Sequence, residues 1–350
     1  MNITTLEKIG VVVRDLDQAI EQHATYLDTT EWTTNDCTDD RLSAMVSYGR
    51  RSAGTYRTAF GRAGGNVPFE LVQPTGGETP FSHFLLSRGE GIAYLTVRAE
   101  GADEASIASH FGALGIRAAH THVVDGDVRR TFWDTREALG GYLLEVLPAP
   151  YAATGEVRTL DGEALRGGRT PLPMQQVFHF GVVVDDTLAT LEQYRAILGI
   201  ESFAVKTWQT EHGRLDNPYY RDLRPVQHGY FTAQGSTGDF GFEIIQCTYG
   251  PAHYNREFTD QRGPGIHHLF PYLTTDSADW AQTVEAMTAL GAPLCMGSDL
   301  RGGASEYAYF DTFDRLGGFL IEGVHRRFPA EDRYMAPDWV VDFRTRVEED

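Results

Sequence analysis

The feature that most restricts how this chain can fold is a repeat that relates its first half to its second. Near its start the sequence reads LEKIGVVVRDLDQAIEQHATYLD, and its middle reads VFHFGVVVDDTLATLEQYRAILG. Each pattern predicts an apolar strand that contains a glycine, then an acidic turn and an amphipathic helix. Three more pairs match in the same order: VPFELVQP with FGFEIIQC, GEGIAYLTV with GPGIHHLFPYL, and GGYLLEVLP with GGFLIEGVH. We therefore expect two similar halves.

The spacing between matching residues changes little along the repeat, which indicates a duplication with short loop insertions. The matched pairs are Lys8 and His179 (171 positions apart), Glu70 and Glu243 (173), Tyr94 and His268 (174), and Glu145 and Glu322 (177). Each half divides again into two units, in which one strand and one helix precede three further strands. The sequence thus predicts an α+β fold of four βαβββ modules.

A break in both periodicities indicates the domain boundaries. The stretch 151–176 is rich in proline and glycine, and we interpret it as a linker. It separates a paired-module domain at 1–150 from a second one at 177–325, which a tail at 326–350 follows. The tail is amphipathic, and we expect it to pack back on the body through its aromatic residues, which are Phe328, Tyr334, Trp339 and Phe343.

The charge and composition of the 350 residues exclude some partners. Forty-nine acidic residues against 30 basic ones give a formal net charge of −19, which argues against nucleic acid, because phosphate backbones bind clustered Lys and Arg. No apolar run approaches the roughly 20 residues of a membrane-spanning helix, and the start of the chain lacks a signal-peptide pattern. The three cysteines form no CxxC pair. We expect a cytoplasmic protein with a small-molecule substrate, and a homodimer is compatible with the sequence.

Two adjacent histidines, His267 and His268, raise the question of which one faces the interior. Neighbouring residues of a strand point to opposite faces. When the two units of the second half are aligned with each other, His268 falls on the position of His179. We therefore predict that His268 points inward and His267 away. The inward polar residues of the second half are then His179, Glu243, His268 and Glu322. Both glutamates interrupt apolar strands, where a carboxylate is costly unless it is paired or binds a metal. This set suits one divalent Zn, Mn, Co, Ni or Fe ion.

The first half carries different residues at the same four positions. They are Lys8, Glu70, Tyr94 and Glu145. Lysine and tyrosine are poor ligands for such an ion, so we predict that this half has no metal site and that Lys8 neutralises the two glutamates. One ion per chain follows from this comparison.

These features together resemble the vicinal oxygen chelate superfamily, which includes glyoxalases, methylmalonyl-CoA epimerases and extradiol dioxygenases. GPGIHHLF is similar to the Gly-x-Gly-x-His-His stretch of the methylmalonyl-CoA epimerases. The resemblance implies two paired-module domains with cupped, antiparallel-rich sheets around a metal that chelates neighbouring substrate oxygens. It carries the ligand role over onto His179, Glu243, His268 and Glu322. The four-module length is similar both to the 4-hydroxyphenylpyruvate type of dioxygenase and to the longer cyclitol epimerases, such as 2-epi-5-epi-valiolone epimerase.

A second carboxylate at the metal separates two branches of this superfamily. The Fe(II) dioxygenases use two histidines and one carboxylate, which leaves three positions for substrate and O₂. Glu243 would occupy one of them, so the sequence favours a metal-dependent epimerase or isomerase. The implied reaction exchanges a proton next to a carbonyl through a metal-stabilised enediolate, preferably on a polyhydroxylated cyclic ketone. The alternatives are an Fe(II)-dependent ring-cleaving or α-keto-acid dioxygenase, and a protein that sequesters a metabolite.

The residue that moves the proton is left open by the sequence. The candidates are Glu243, Glu322, His228 and Tyr230, and in addition Glu306 and Tyr309. VQHGYFTA, which contains His228 and Tyr230, lies near the place where the methylmalonyl-CoA epimerases carry a catalytic glutamate. This departure argues against a coenzyme A substrate. Two further loops, around Arg221 and Arg301, are candidates to close over a polar substrate.

Overall fold

The two halves form two curled sheets of eleven strands each in a computed structural model, which describes residues 1–327 and 335–344. The strands of the first sheet are β1 (Ile3–Val12), β2 (Glu31–Cys37), β3 (Leu42–Ser47), β4 (Arg50–Arg51), β5 (Gly54–Ala63), β6 (Val67–Gly77), β7 (Gly91–Ala99), β8 (Ala118–Val124), β9 (Val128–Trp133), β10 (Leu143–Leu147) and β11 (Glu156–Thr159). The helices of this half are α1 (Leu16–Leu27), α2 (Pro80–Arg88), α3 (Glu104–Ala113), α4 (Arg136–Leu139) and α5 (Gly162–Arg166).

The second sheet repeats this arrangement. Its strands are β12 (His179–Val183), β13 (Ser202–Gln209), β14 (Leu215–Tyr220), β15 (Arg224–Pro225), β16 (Gly229–Thr237), β17 (Phe240–Tyr249), β18 (Gly265–Thr274), β19 (Leu294–Leu300), β20 (Ser305–Phe310), β21 (Leu320–Arg326) and β22 (Trp339–Asp342). Its helices are α6 (Thr187–Leu198), α7 (Asp260–Arg262) and α8 (Ser277–Ala289), and a π-helical turn (Tyr254–Thr259) precedes α7.

Each sheet contains two modules whose first strands lie side by side. The strand order is β11-β2-β5-β6-β1-β7-β10-β9-β8-β3-β4 in the first sheet and β15-β14-β19-β20-β21-β18-β12-β17-β16-β13-β22 in the second. The central pairs, β1 with β7 and β12 with β18, are antiparallel. Most of the remaining strands of each module continue outward from this pair, while β3–β4 and β14–β15 extend the arm of the other module. The arrangement confirms the predicted α+β fold of four βαβββ modules.

The chain path explains why the sheets curl. β3 begins only a few residues after β2, yet β3 pairs with β8 at the opposite end of the strand order. β14 follows β13 in the same way and pairs with β19. Both connections are short, so the two arms of each sheet must approach one another and enclose a space over the central strands.

The acidic turns of the repeat start the first helix of each half. Asp15 accepts a hydrogen bond from the backbone N–H of Gln18, and Asp186 accepts one from Ala189, both at 3.0 Å. These are N-caps that satisfy free N–H groups of α1 and α6. The helices cover the outer face of each sheet, and one cluster of buried apolar side chains includes residues of both halves. Tyr194 joins the halves by donating to the carbonyl of Leu139 at 2.8 Å.

The segments outside the four modules also pack on the sheets. The stretch 151–176, which the sequence suggested as a linker, contributes β11 and α5, and β11 pairs with β2. In the tail, β22 pairs with β13, and the ring of Phe343 contacts that of Phe203. Two of the aromatic residues expected to anchor the tail, Phe328 and Tyr334, lie outside the described residues. Within the described ranges, no helix is long and apolar enough to span a membrane.

A glycine in the first strand of each half makes room for a ring on the neighbouring strand. Gly181 pairs with Glu243 on one side and His268 on the other. A Cβ atom at position 181 would lie 1.8 Å from Cε1 of His268, which no packing tolerates. Gly10 occupies the matching place, where a Cβ would lie 2.1 Å from Cζ of Tyr94. The glycine inside each apolar strand therefore fixes where the residue of the next strand sits.

We expect Gly181→Ala to weaken divalent-metal binding at least about tenfold, because the new methyl group must displace the imidazole of His268. Overpacking of this kind typically costs about 1–3 kcal/mol. Isothermal titration with Zn²⁺ measures the affinity, and urea denaturation measures the stability. Gly10→Ala is the matched control: it should lower stability without changing the affinity. Equal affinities in wild type and Gly181→Ala would show that His268 does not bind the ion.

Candidate metal centre

Four adjacent strands bring together the four residues that the sequence selected. His179 begins β12, Glu243 lies in β17, His268 in β18 and Glu322 in β21. One potential ligand atom of each residue lies within 4.8 Å of the corresponding atoms of the other three. Nε2 of His179 is 3.1 Å from Oε2 of Glu322 and 3.6 Å from Oε2 of Glu243, and Nε2 of His268 is 3.4 Å and 3.8 Å from the same two oxygens.

The chemistry of this donor set fits a divalent cation. Both carboxylates are buried, and without a cation they place two like charges within a few ångströms of each other. Nε2 of His268 is buried and has no hydrogen-bond partner among the described residues, although it points at the carboxylates. Two imidazole nitrogens and two carboxylate oxygens are ligands that Zn, Mn, Fe, Co and Ni accept. The cluster is able to hold one such ion.

In the metal-free cluster, these short distances shift the pKa values of His179 and Glu322. Burial opposes the charge of His179, but Glu243 and the hydrogen bond to Glu322 raise its pKa above the ordinary value. Burial likewise opposes the charge of Glu322, while the hydrogen bond from His179 and the neighbouring His268 lower its pKa. In the metal-free cluster, the two carboxylates thus favour the charged form of a buried imidazole.

A pocket opens beside the cluster, between the two arms of the second sheet. Its empty volume is about 570 Å³ including the mouth. His179, Glu243 and Glu322 form part of its wall, whereas His268 lies behind them and is fully buried. The wall includes the aromatic rings of Trp208, Tyr230, Phe270, Tyr307 and Tyr309. A small molecule in this pocket would contact the cluster from one side.

The candidates for proton transfer fall into two groups. Tyr230, Glu306 and Tyr309 line the pocket. His228 does not: its Nδ1 lies 3.4 Å from the carbonyl of Pro251, and its ring packs edge-on against Tyr230. The reason is distance along the strand, because Gln234 is the residue of β16 that pairs with Glu243. His228 precedes it by six positions, roughly 20 Å of extended chain.

The expectation that His267 points away from His268 is wrong. His267 lies in a β-bulge, because Gly181 pairs with His268 while the next residue, Val182, pairs with Ile266. The bulge removes His267 from strict alternation. Its ring is fully buried, and its Nδ1 lies 3.0 Å from Nδ1 of His268. His267 is outside the four-residue cluster but in direct contact with it.

Two polar residues of the pocket escaped the sequence analysis. Gln234 donates a hydrogen bond to Oε1 of Glu243 at 2.8 Å, and Lys206 donates one to Oε1 of Gln234 at 2.9 Å. Burial lowers the pKa of Lys206, although the nearby charge of Glu243 raises it. The overlooked signal is composition, since Lys8 and Lys206 are the two lysines in a sequence with 30 basic residues.

The two arginine loops expected to cover the substrate serve other contacts. Arg221 binds the carboxylates of Glu257 at 2.9 Å and Asp311 at 2.6 Å. Arg301 donates to the backbone carbonyls of Gly213 and Thr210. Neither belongs to the wall of the pocket, so the structure gives them a role in holding loops.

The corresponding centre of the first half is filled by two cations. Nζ of Lys8 lies 3.0 Å from Glu70 and 3.2 Å from Glu145, which confirms the predicted neutralisation. Arg130, which the sequence pattern did not reveal, binds both carboxylates through its guanidinium at 2.8 Å. Tyr94 also donates to Glu70. The repeat places Arg130 177 positions before a tyrosine of the pocket wall, so the guanidinium enters the region that is pocket in the second half.

We expect Arg130→Leu to destabilise the protein by about 3–5 kcal/mol, because it leaves two buried carboxylates with one partner cation. Urea denaturation measures this change. Arg57→Leu is the control, since Arg57 pairs with Asp17 and Asp36 at the exposed surface and should cost less than about 1 kcal/mol. Similar losses for both variants would contradict a central role for Arg130.

Comparison with known proteins places the fold but no closer relationship. Neither protein-family profiles nor curated sequences give a match. Among solved structures, a triple mutant of 4-hydroxymandelate synthase from Streptomyces coelicolor has a TM-score of 0.64 at 14% identity, covering 95% of each chain. A xylose isomerase-like TIM barrel/4-hydroxyphenylpyruvate dioxygenase fusion protein has a TM-score of 0.51 at 10% identity, covering 94% of this chain and 50% of that one. The chain thus has the same fold as these two proteins, which agrees with the fold implied by its resemblance to the vicinal oxygen chelate superfamily.

Proposed function

We propose that the protein is a metal-dependent isomerase that exchanges a proton on the carbon next to a carbonyl group. His179, Glu243, His268 and Glu322 would hold the divalent ion. When bound, the ion supplies Lewis acidity to the carbonyl and a neighbouring hydroxyl of the substrate. The observation that carries the proposal is the convergence of this four-residue cluster, with its ligand atoms within 4.8 Å of one another, on a pocket that also contains a buried amine.

The number of carboxylates favours an isomerase over a dioxygenase. Glu243 and Glu322 both face the same point between the two histidines. Four protein ligands leave two positions of an octahedral ion, which match the two adjacent oxygens of a hydroxyketone. A dioxygenase needs a further position for O₂. The two carboxylates also offset the charge of a divalent ion, which suits polarisation of a carbonyl without electron transfer.

The pocket supports a compact, oxygen-rich substrate. Aromatic rings on both arms provide flat apolar surfaces, and Lys206, Ser305 and Glu306 add hydrogen-bonding groups. Mostly apolar walls with a few placed polar groups are the usual design of small-molecule sites. A cyclic polyhydroxylated ketone meets both requirements, and it remains the preferred substrate class of this proposal.

We propose Lys206 as the group that accepts the proton. The phenols of Tyr230 and Tyr309 have pKa values raised well above the ordinary value by burial, so they stay protonated. Glu306 is held by Arg327 at 2.6 Å. His228 lies outside the pocket wall, and Glu243 and Glu322 are committed to the ion. The amine of Lys206 has a pKa lowered by burial and can take up a proton where a guanidinium cannot.

A proton donor on the opposite arm completes the exchange. Lys206 lies in β13 on one arm of the sheet, and Tyr309 lies in β20 on the other. Tyr309 pairs with Glu322 across the strands, and its hydroxyl lies 2.6 Å from that of Tyr254. Lys206 would accept the proton from one face of the carbon, and the hydroxyl of Tyr309 would supply a different proton to the opposite face. Proton exchange with solvent would then restore the amine and the phenol. This arrangement is what inversion of the centre requires.

The reaction is tested by incubation in D₂O with 2-hydroxycyclohexanone, a neutral cyclic hydroxyketone, followed by NMR. We expect deuterium at the carbon that carries the hydroxyl. Chelation of the metal or the His268→Ala substitution should abolish the exchange, and removal of O₂ should not affect it. Oxygen uptake with Fe(II) and an α-keto acid, without exchange, would assign the protein to the dioxygenases. Tight binding of the ketone without either reaction would indicate a sequestering protein.

Replacement of Lys206 should separate proton transfer from metal binding. Lys206→Met and Lys206→Arg are expected to slow the exchange by about 100-fold or more while Zn²⁺ affinity changes little. The wild-type rate should rise with pH as the amine loses its proton, at lower pH than for an exposed lysine because burial lowers its pKa. Because Lys8 is the one other lysine of the sequence, NMR of ¹⁵N-lysine-labelled protein gives two amine signals and can follow the protonation of Lys206 directly. Unchanged exchange in Lys206→Met would move the base role elsewhere.

A further inference from the structure

The histidine at the back of the cluster is the first of three connected imidazoles. Nδ1 of His268 lies 3.0 Å from Nδ1 of His267, and Nε2 of His267 lies 2.9 Å from Nδ1 of His253. All three side chains are fully buried. We call this set, His268, His267 and His253, the imidazole line. None of its three residues belongs to the wall of the pocket.

Two irregular backbone features create the imidazole line. The bulge in β18 leaves His267 without a cross-strand partner and directs its ring towards His268. His253 directly precedes the π-helical turn Tyr254–Thr259, and the ring of Tyr254 packs 4.7 Å from that of His267. The bulge is common to both halves, because Gly10 pairs with Tyr94 and Val11 with Ile92 in the first sheet. The π-helical turn differs between the halves, since the regular helix α2 stands at the matching place in the first half. Turns of this kind occur often at functional sites.

If His268 binds the metal ion through Nε2, the hydrogen bonds of the imidazole line can run in only one direction, from His268 to His267 to His253. A neutral imidazole carries one N–H and one free lone pair. His268 needs a free lone pair on Nε2 to bind the ion, so its proton must be on Nδ1. That N–H then donates to Nδ1 of His267. His267 must carry its own proton on Nε2 and donate to His253. His253 is left with a proton on Nε2, a buried atom without a partner among the described residues.

The half without the metal cluster provides an internal control. The repeat aligns His268 with Tyr94 and His267 with Ala93, and it places His253 opposite Thr79 or Pro80. The middle member of the imidazole line is therefore replaced there by an alanine, which cannot continue it. A buried polar chain is costly unless every link is satisfied, so its presence in one half calls for a role that this half alone has.

We propose that His267 and His253 are positioning residues that fix His268 in the tautomer and orientation needed to bind the divalent ion. The inference rests on the proposed metal site but not on the proposed reaction. A buried histidine ligand without such support could rotate or protonate at the wrong nitrogen. Loss of a hydrogen-bond partner behind a ligand typically weakens metal affinity by about 10- to 100-fold.

The matched variants are His267→Leu and His267→Asn, which have similar size. The asparagine oxygen can occupy the place of Nδ1 and accept from His268, whereas leucine cannot. We expect Zn²⁺ affinity, measured by competition with a chelator, to fall about 10- to 100-fold in His267→Leu and to recover largely in His267→Asn. His253→Phe alone should weaken Zn²⁺ binding. Combined with His267→Leu, it should cause little further loss of affinity. His122→Leu, which removes a buried histidine of the first half bonded to Tyr56, should leave the affinity unchanged.

Long-range ¹H–¹⁵N NMR of the Zn²⁺-loaded wild type tests the same inference without substitution. The line requires the proton of His268 on Nδ1 and the protons of His267 and His253 on Nε2. A proton on Nδ1 of His267, or equal affinities in His267→Leu and wild type, would overturn the positioning role. Absence of Zn²⁺ binding in the wild type would overturn the metal site and this role together. Metal binding without ketone exchange would remove the proposed reaction and leave the imidazole line standing.

Discussion

Each half of this protein buries two glutamates that face one another, and the positive charge they require determines what surrounds them. In the first half, Glu70 and Glu145 receive that charge from Lys8 and Arg130 at distances of 2.8–3.2 Å. In the second half the position matching Lys8 is His179, which carries no permanent charge. The same backbone arrangement therefore forms a complete ion-pair centre in the first half, whereas in the second half the two buried glutamates still require a cation.

The same difference decides where a pocket can exist. Arg130 reaches its carboxylates from β9, and the aligned residue of the second half, Tyr307, stands in the pocket wall. The guanidinium thus both neutralises the carboxylates and fills the space beside them. A phenol at the aligned position carries no positive charge and leaves room for a pocket. The imidazole line contributes no residue to the pocket wall, although β18 carries members of both. Substrate access and ligand support therefore depend on different side chains.

The fold and the four clustered residues could be predicted because they depend on local patterns repeated at nearly constant spacing. Strand alternation placed His179, Glu243 and Glu322 inward, and regular pairing of neighbouring strands did the rest. The failures arose where regularity ends. The bulge at His267 is a matter of backbone register, which no single strand sequence reveals. His228 lies before its strand begins, too far along the chain from Glu243 to reach the pocket.

Arg130 and Lys206 were missed for a different reason. Their contacts depend on how far a long side chain extends from one strand to a carboxylate or amide on another. Alternation predicts the face on which such a residue lies but not the atoms it meets. The scarcity of lysine was the available signal, because a chain that otherwise uses arginine places both its lysines beside buried glutamates.

That scarcity has a practical chemical consequence. Lys8 is 1% exposed and Lys206 6% exposed, so the folded chain offers no lysine amine at its surface to acylating labels or amine-coupling supports. Lys8 is locked between carboxylates deep in the first sheet, whereas Lys206 borders a pocket that opens to solvent. Slow acylation of the second amine would therefore report how often the arms of the second sheet move apart. Its rate gives a clock for pocket opening that needs no substrate and no introduced probe.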